Sequence, residues 1–560
     1  MDLHAARTVT SPTSLAELSP FGRRVLASRG LTDPEGIRAF LSPRLADLTL
    51  PDTMADRGVA AERLAHAVRR GEPVAVYGDY DVDGITAAAL VTRALKALGG
   101  VVTAYVASRF EGGYGLSDAA LERVLASRPA VLVTCDCGTS DHPRLERARA
   151  AGVDVIVVDH HKVPEEALPA LAFLNPHRPG CGFPYKGLAS VGLALSIAAA
   201  VRGALGKALD VRAYLDLVAL GTVADVAPLT GDNRILTRAG LQRIGEGLGC
   251  PGVRALVREA RLRHAPSARD VGFSLAPLMN APGRLGSPRP TLELLLSEDD
   301  ASASRLAAEL AEANTRRRAI SQDMITSALA QVREVYGTSI PAGVVVAADG
   351  WHQGMGGIVA GRLTDRLGAA VAVVAFEGAF GVGSVRAPRG VRVYDAVAAC
   401  RDVLQGFGGH DGAAGLKVHR EHLEAFRARF ATAPGGTEGA AVAAPAPDTE
   451  LTEDDLGSEH LARDLRCLEP CGEANPEPLV TLIDAKLTDD RVVGDVHLRL
   501  RLGVGRRSLP GFYRDGVSAR SDGLVPPRGA RVSVLGTLKP DPWSGPEAVQ
   551  LEVVSVKREG

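Results

Sequence analysis

Val155-Ile156-Val157-Val158-Asp159-His160-His161 is an apolar, β-branched run that ends on an acid and two histidines. Two earlier runs end in a similar way: Val74 to Tyr77 leads into Gly78-Asp79-Tyr80-Asp81-Val82-Asp83-Gly84, and Ala130 to Thr134 leads into Cys135-Asp136-Cys137-Gly138. Short continuous β-branched runs mark strands buried in a parallel sheet, and ligands of open α/β sheets collect outside the carboxyl ends of such strands. Three strand ends then point five carboxylates and two imidazoles at one crevice. Like charges at that density need cations between them, so the pattern predicts a site for more than one metal ion.

Helical segments separate these runs. Ala60 to Arg70, Ile85 to Leu98 and a segment after Ser117 read as helices, Val101 to Val106 as a further strand. The alternation predicts an α/β fold with a doubly wound, mostly parallel sheet over residues 51–235. Residues 1–50, with short helical patterns such as Gly36 to Leu41, read as an N-terminal appendage. Within a helical connector at 236–337, Leu306, Leu310, Ala313, Ile320, Met324, Leu329 and Val332 recur at three-to-four spacing with no Gly or Pro before Gly337. That predicts one long amphipathic helix of roughly 50 Å, able to bridge two lobes. A second α/β domain is expected over 338–432, a flexible linker rich in Ala, Gly and Pro over 433–450, and a small β-barrel over 451–560.

The 560 residues are enough for three or four domains, and 64 Lys+Arg against 66 Asp+Glu leave a net charge of -2. Any nucleic-acid site is therefore a local basic surface beside an acidic centre. The odd cysteine count, seven, suggests reduced thiols and a cytoplasmic protein. No apolar stretch reaches the ~18 residues of a membrane span, so no membrane contact is expected.

The Asp79–Gly84 segment is not a calcium loop, because Ala87 to Val91 contains no acid where a bidentate Glu belongs. Helix capping accounts for one of its three aspartates, not all. Imidazole among several carboxylates suits Mn²⁺ or Mg²⁺ better than zinc, which favours thiolate-rich shells. Two such ions, about 3.5 to 4 Å apart, are machinery for phosphoryl hydrolysis. Arg316-Arg317-Arg318 on the long helix reads either as a solvated face or as a phosphate contact. Arg499, Arg501, Arg506, Arg507, Phe512, Tyr513 and Arg514 interleave charge with aromatics, as a single-strand platform does.

Taken together, these motifs resemble those of the DHH phosphoesterase superfamily, and within it the exonucleases specific for single-stranded DNA. Tyr77 to Ala87 resembles the first family motif, Asp136 sits in the second, Asp159-His160-His161 is the third and Gly221-Thr222-Val223-Ala224-Asp225 the fourth. Ser108-Arg109-Phe110, Gly113-Tyr114-Gly115-Leu116, Asn280 to Gly286, Gly350 to Gly354, Phe407-Gly408-Gly409-His410 and Leu468 to Pro478 resemble stretches of the exonuclease branch. Gly383-Ser384-Val385-Arg386-Ala387 departs from the family's Gly-Ser-Gly-Arg-Ser but keeps Ser384 and Arg386.

The resemblance implies two divalent cations, Mn²⁺ or Mg²⁺, held by Asp81, Asp83, Asp136, His160 and Asp225, with Asp136 bridging and Asp79 a further ligand. Asp159 and His161 would orient that shell or meet the phosphate. Arg109, Tyr114, Arg284, Ser384, Arg386 and His410 would bind DNA and its 5′-phosphate, helped by backbone amides of 381–386 and 408–410. The implied activity is 5′-to-3′ degradation of single-stranded DNA to 5′-mononucleotides in repair and recombination. The enzyme is expected to be a monomer working with a single-strand-binding protein and a helicase. A phosphodiesterase for short oligoribonucleotides or cyclic dinucleotides, and a catalytically silent DNA-binding scaffold, are the competing readings.

Overall fold

The computed structural model describes residues 14–262, 264–432, 446–541, 544–545 and 547–559. Most of the expected linker, residues 433–445, lies outside them.

Five parallel strands, β1 (Pro73–Gly78), β2 (Val101–Val106), β3 (Val131–Cys135), β4 (Asp154–Val158) and β5 (Ala172–Leu174), form a sheet of order β2-β1-β3-β4-β5. Alternate residues enter two separate cores. Val74, Val76, Val131, Val133, Ile156 and Val158 meet the helices Val82–Ala97, Ser190–Leu205 and Leu215–Ala224 on one face. Ala75, Tyr77, Leu132, Val155 and Val157 meet Asp118–Ala126 and His142–Ala150 on the other. Burial on both faces explains why the strands read as unbroken apolar runs. After β1 the chain crosses to β2 on one side and then returns to β3 on the other. The direction of winding reverses between β1 and β3, where a doubly wound sheet leaves its crevice.

The long helix spans Asp300–Tyr336, 37 residues, or about 55 Å at 1.5 Å per residue. Its first half buries Leu306 and Leu310 in the core under the parallel sheet, and its second half buries Met324, Ala328 and Val332 in another. One rigid element thus belongs to two hydrophobic cores. The second body holds β6 (Gly343–Asp349), β7 (Ala370–Glu377), β8 (Phe380–Arg386), β9 (Gly406–His410) and β10 (Ala413–His419), in the order β6-β7-β8-β10-β9. Only β6 and β7 are parallel.

Beyond the short strand β11 (Thr449–Glu450), five strands close into a barrel: β12 (Leu479–Val493), β13 (His497–Val504), β14 (Arg507–Tyr513), β15 (Arg531–Pro540) and β16 (Val549–Arg558). Closure comes from β12 pairing with both β13 and β15, while β14 runs parallel to β16. The N-terminal segment is more than an appendage. Phe21, Val25, Leu26, Ile37 and Leu41 share the barrel's own core, and Ser19 N–H donates to Asp464 Oδ2 at 2.8 Å. Its helices Pro20–Ser28 and Pro34–Leu41 follow N-caps Ser19 and Asp33, each with Pro in the first turn. A sequence reading divides the chain by position, whereas these apolar faces are completed by residues more than 400 positions away.

Arg234 ties this composite domain to the parallel sheet's body. Its side chain is buried, stacks 3.8 Å from the Phe40 ring, and donates to the carbonyls of Phe40, Cys467, Leu468, Glu469 and Pro470. All five guanidinium N–H groups are therefore used. Arg234→Met should destabilise the protein by about 3 kcal/mol, because it strands buried carbonyls, and Arg234→Lys should restore only part of that, having three donors and no planar fork. Thermal melts of the three proteins check this: equal midpoints would mean that Arg234 does not hold the domains together.

Candidate metal centre and nucleic-acid interface

The sheet lines up its own strand ends. Asp79 N–H donates to Cys135 O, Asp136 N–H to Val158 O and Asp159 N–H to Leu174 O, at 3.1, 2.9 and 3.0 Å. Asp79, Asp136, Asp159 and Asn175 thereby stand in one row at the carboxyl edge, and Asp79 and Asp136 flank the switch point. Asp136 sits at φ +61, a left-handed conformation that costs a residue other than glycine strain and recurs at functional sites.

The other acids arrive from helix ends. Asp81 caps the helix Val82–Ala97, accepting from Gly84 N–H at 3.0 Å. Gly84 itself has no room for a side chain, since a Cβ would lie 2.6 Å from the backbone nitrogen of Asp79. Asp83, in the first turn, accepts from Ser190 N–H at 2.7 Å and Val191 N–H at 3.0 Å, at the start of the helix Ser190–Leu205. Asp225 closes the helix Leu215–Ala224. Gly221, one turn earlier, brings that helix against the first, for a Cβ there would lie 2.8 Å from Asp83 Oδ1.

Three groups of possible ligand atoms result: Asp79, Asp81 and Asp136; Asp83, His160 and Asp225; and Asp136, His160 and His161. His160 Nε2 lies 3.3 Å from Asp136 Oδ1 and 3.6 Å from Asp225 Oδ2. Burial, reinforced by the neighbouring carboxylates, pushes the Asp79, Asp83 and Asp136 carboxyls well above their ordinary range, and Asp225 up to about 7. Burial also lowers His160 to about 4, so that its imidazole is neutral and fit to be a ligand. The donor set suits a hard divalent cation with one or two imidazoles. Two atoms make the fit specific: Asp136 Oδ2 and His160 Nε2 are both buried and lack a hydrogen-bond partner among the described residues.

Asp159 has a different task. It accepts from the backbone N–H groups of Thr139, His160 and His161 and faces His161 Nδ1 at 2.8 Å. Burial works against both charges in this pair, yet the mutual hydrogen bond prevails, holding Asp159 at about 2 and raising His161 to about 9. The Tyr114 hydroxyl donates to Asp136 O at 3.1 Å and lies 2.9 Å from His161 Nδ1. Tyr114, expected at the DNA, thus has its hydroxyl engaged by the metal-site loops.

Sequence reading missed Ser190, whose hydroxyl donates to Asp136 Oδ1 at 2.9 Å, and Asn175, whose amide donates to His161 O at 2.8 Å. It also missed Asp141, which accepts from Leu116 N–H at 2.9 Å. Asn175 was detectable as a polar residue ending a short apolar run. Ser190 opens an apolar helix but carries no motif.

A cluster of arginines lies near this centre, around Tyr80. Arg284, partly buried, is lowered to about 10 by loss of solvation and then by Arg109 and Arg317. Arg386 is lowered by burial and by Arg109, whose guanidinium lies 4.4 Å from the centre of the Tyr80 ring. Ser384 and Arg386 stand over the start of the helix Gly356–Leu367, where a Cβ on Gly356 would lie 3.2 Å from Ser384 Oγ and one on Gly357 3.0 Å from an Arg386 terminal nitrogen. Two glycines keep this helix N-terminus, a natural anion site, open to those side chains. The expected contribution of backbone amides from 381–386 needs correction, because that segment is β8, paired on both sides by β7 and β10. Residues 408–410 lie on β9, at the edge of the sheet, paired only with β10. The His410 side chain lies outside the described residues.

On the barrel, Arg499 and Arg501 project outward from β13 while Leu498, Leu500 and Leu502 fill the core. Arg499 faces Phe512 on one neighbouring strand and Arg491 on the other. Arg514 is paired with Glu552 at 2.9 Å and contributes less free charge than expected.

Three family descriptions match in chain order: "DHH family, N-terminal domain" over residues 73–222, "DHHA1 domain" over 341–433 and "RecJ OB domain" over 447–555. The single-stranded-DNA-specific exonuclease RecJ of Escherichia coli (strain K12) is 35% identical over 97% of this chain and 96% of its own. That of Bacillus subtilis (strain 168) is 32% identical over 97% of this chain and 69% of its own. The crystal structure of RecJ in complex with Mn²⁺ from Thermus thermophilus matches 97% of this chain and 76% of its own, with 31% identity and a TM-score of 0.79. With relatives at this identity along nearly its whole length, the chain belongs to the DHH family, in the RecJ branch.

Proposed function

We infer that the protein is a metal-dependent, single-stranded-DNA-specific exonuclease that removes 5′-mononucleotides from the 5′ end, in repair and recombination. The observation that carries this reading is a largely buried carboxylate–imidazole cluster with a cluster of partly buried arginines beside it. Divalent cations, Mn²⁺ or Mg²⁺, supply Lewis acidity at the scissile phosphate and lower the pKa of the attacking water. Asp79, Asp81, Asp83, His160 and Asp225 would hold two of them, with Asp136 common to both. The free Oδ2 and the strained backbone of Asp136 support that role. Asp159 holds His161 charged beside the site, where it can meet a phosphate oxygen.

Ser384, Arg386, Arg109 and Arg284 would hold the terminal 5′-phosphate at the helix N-terminus, setting the first internucleotide linkage over the acidic cluster. Planar guanidinium groups suit that anion. Polarity follows from anchoring the end rather than from reading bases. The barrel's Arg499, Arg501 and Phe512 would bind the strand further along. The seven unpaired cysteines favour the cytoplasm, and among the described residues no helix is long and apolar enough to cross a membrane. We expect a monomer that takes its strand from a helicase and a single-strand-binding protein.

Asp136→Asn should keep the fold, since Asn tolerates a left-handed backbone, and lose turnover by several orders of magnitude. In metal-free buffer it should melt no lower than the wild type, as one buried charge is gone, but the rise in melting temperature on adding Mn²⁺ should shrink. A native Mn²⁺ shift would remove Asp136 from the metal site. For polarity, 5′-phosphorylated strands should be degraded well ahead of strands blocked at the 5′ end, and Arg386→Ala should erase the difference; equal rates in the wild type would argue against end anchoring. For the barrel, the double variant Arg499→Ala/Arg501→Ala should weaken binding of long strands and cut the salt dependence, the log Kd against log salt slope falling by about 1.4 at ~0.7 per phosphate. An unchanged slope would take these arginines off the DNA.

A further inference from the structure

The loop that joins β2 to the helix Asp118–Ala126 is pinned at its far end to the metal centre. Gly115 N–H donates to Asp79 Oδ1 at 3.2 Å, Gly115 O accepts from the Tyr77 hydroxyl at 3.2 Å, and Leu116 N–H donates to Asp141 Oδ2 at 2.9 Å. Gly112, Gly113 and Gly115 all take positive φ, a conformation that side chains rarely adopt, so these glycines fix the course of the loop. Glu111 adds an ion pair with Arg123 at 2.6 Å. What these contacts hold out from the first body is the pair Arg109-Phe110.

Phe110 is 43% exposed, yet it is not idle. Its ring meets that of His352, in the turn between β6 and the helix Gly356–Leu367 of the second body, with ring centres 5.9 Å apart and planes at 84°. This is the edge-to-face geometry of direct contact. Beside it, Arg284 Nη1 donates to Gly354 O at 3.4 Å, and a Cβ on Gly354 would collide with Arg284 O and lie 3.2 Å from Phe110 Cζ. The two bodies therefore touch here with no room between them. The contact adjoins the anion site on both sides: Arg109 directly precedes Phe110, while Gly356 and Gly357, which face Ser384 and Arg386, directly follow the His352–Met355 turn.

We propose that the Phe110–His352 contact shuts the 5′-phosphate pocket behind the first nucleotide and thereby restricts the enzyme to strand ends. The proposal rests on the exonuclease reading above and goes beyond it: anchoring of the terminal phosphate sets which end is cut, whereas this closure makes an end necessary. Hydrolysis of an internal linkage requires the chain upstream of it to leave the site again, and a first nucleotide seated in the pocket needs no such exit. In both cases water adds to phosphorus and the P–O3′ bond breaks, leaving a 3′-hydroxyl and a 5′-phosphate. Opening the closure changes which strands are admitted and leaves the chemistry as it was.

The test uses the full chain in Mn²⁺ on a circular single strand and on its 5′-phosphorylated linear form. The wild type should degrade the linear strand and leave the circle. Phe110→Ala and His352→Ala, made separately because they lie on different bodies, should each consume the circle at least about tenfold faster than the wild-type background, the factor that one aromatic contact is worth, and still degrade the linear strand. Phe110→Tyr should keep the circle resistant. A gain of this kind is not what a merely structural role produces. Circles that survive both alanine variants while the linear strand is degraded would overturn the proposal, as would a wild type that consumes both substrates equally. If an alanine variant loses the linear activity too, Phe110→Leu decides on the same pair of substrates. Should the wild type leave both strands intact, the exonuclease reading falls instead, and anisotropy with a labelled circle decides the closure: tighter binding by Phe110→Ala upholds it and equal binding overturns it.

Discussion

Repulsion among the aspartates gathered at the β1/β3 switch point is the force around which the catalytic body is arranged. Asp79, Asp83, Asp136 and Asp159 are almost wholly withdrawn from water, with Asp81 and Asp225 beside them. Some of that charge is met by the protein itself. The N-termini of two helices present N–H groups to Asp81 and Asp83, and His161 pairs with Asp159. What remains, centred on Asp136 and His160, needs cations, and the carboxyls raised by burial measure how unfavourable the cluster is without them.

A neighbouring cluster carries the complementary imbalance: Arg109, Arg284, Arg317 and Arg386 crowd one another, a cost that a bound anion would relieve. A net charge of -2 over 560 residues conceals both clusters. The long helix, anchored in one core at each end, joins the body that holds the acids to the body that holds Ser384 and Arg386. Arg234 and the Arg269 ion pairs then hold the barrel against the same body.

The acidic cluster was largely legible in the sequence because most of its residues follow strand ends, and strand ends in a parallel sheet share one edge. The parallel sheet, the bridging helix and the barrel could be read from periodicity and residue type, and the fourth motif, around Asp225, from family resemblance alone. Ser190, Asn175 and Asp141 could not, since each matters only for what it touches. The amides of β8 were misread as a phosphate cradle because glycine-rich stretches can form strands or loops, and only the pairing partners decide between them.

Local pattern thus determined the elements and the gathering of acids at the strand ends, both of which depend on period, burial and residues close in sequence. Tertiary structure alone decided which arginine of Arg316-Arg317-Arg318 faces the crevice, that Ser384 and Arg386 meet a helix N-terminus through Gly356 and Gly357, and that residues 18–41 complete the barrel's core. Such contacts join segments tens to hundreds of residues apart, and their energy comes from shared burial and opposed charge, which no single stretch of chain contains.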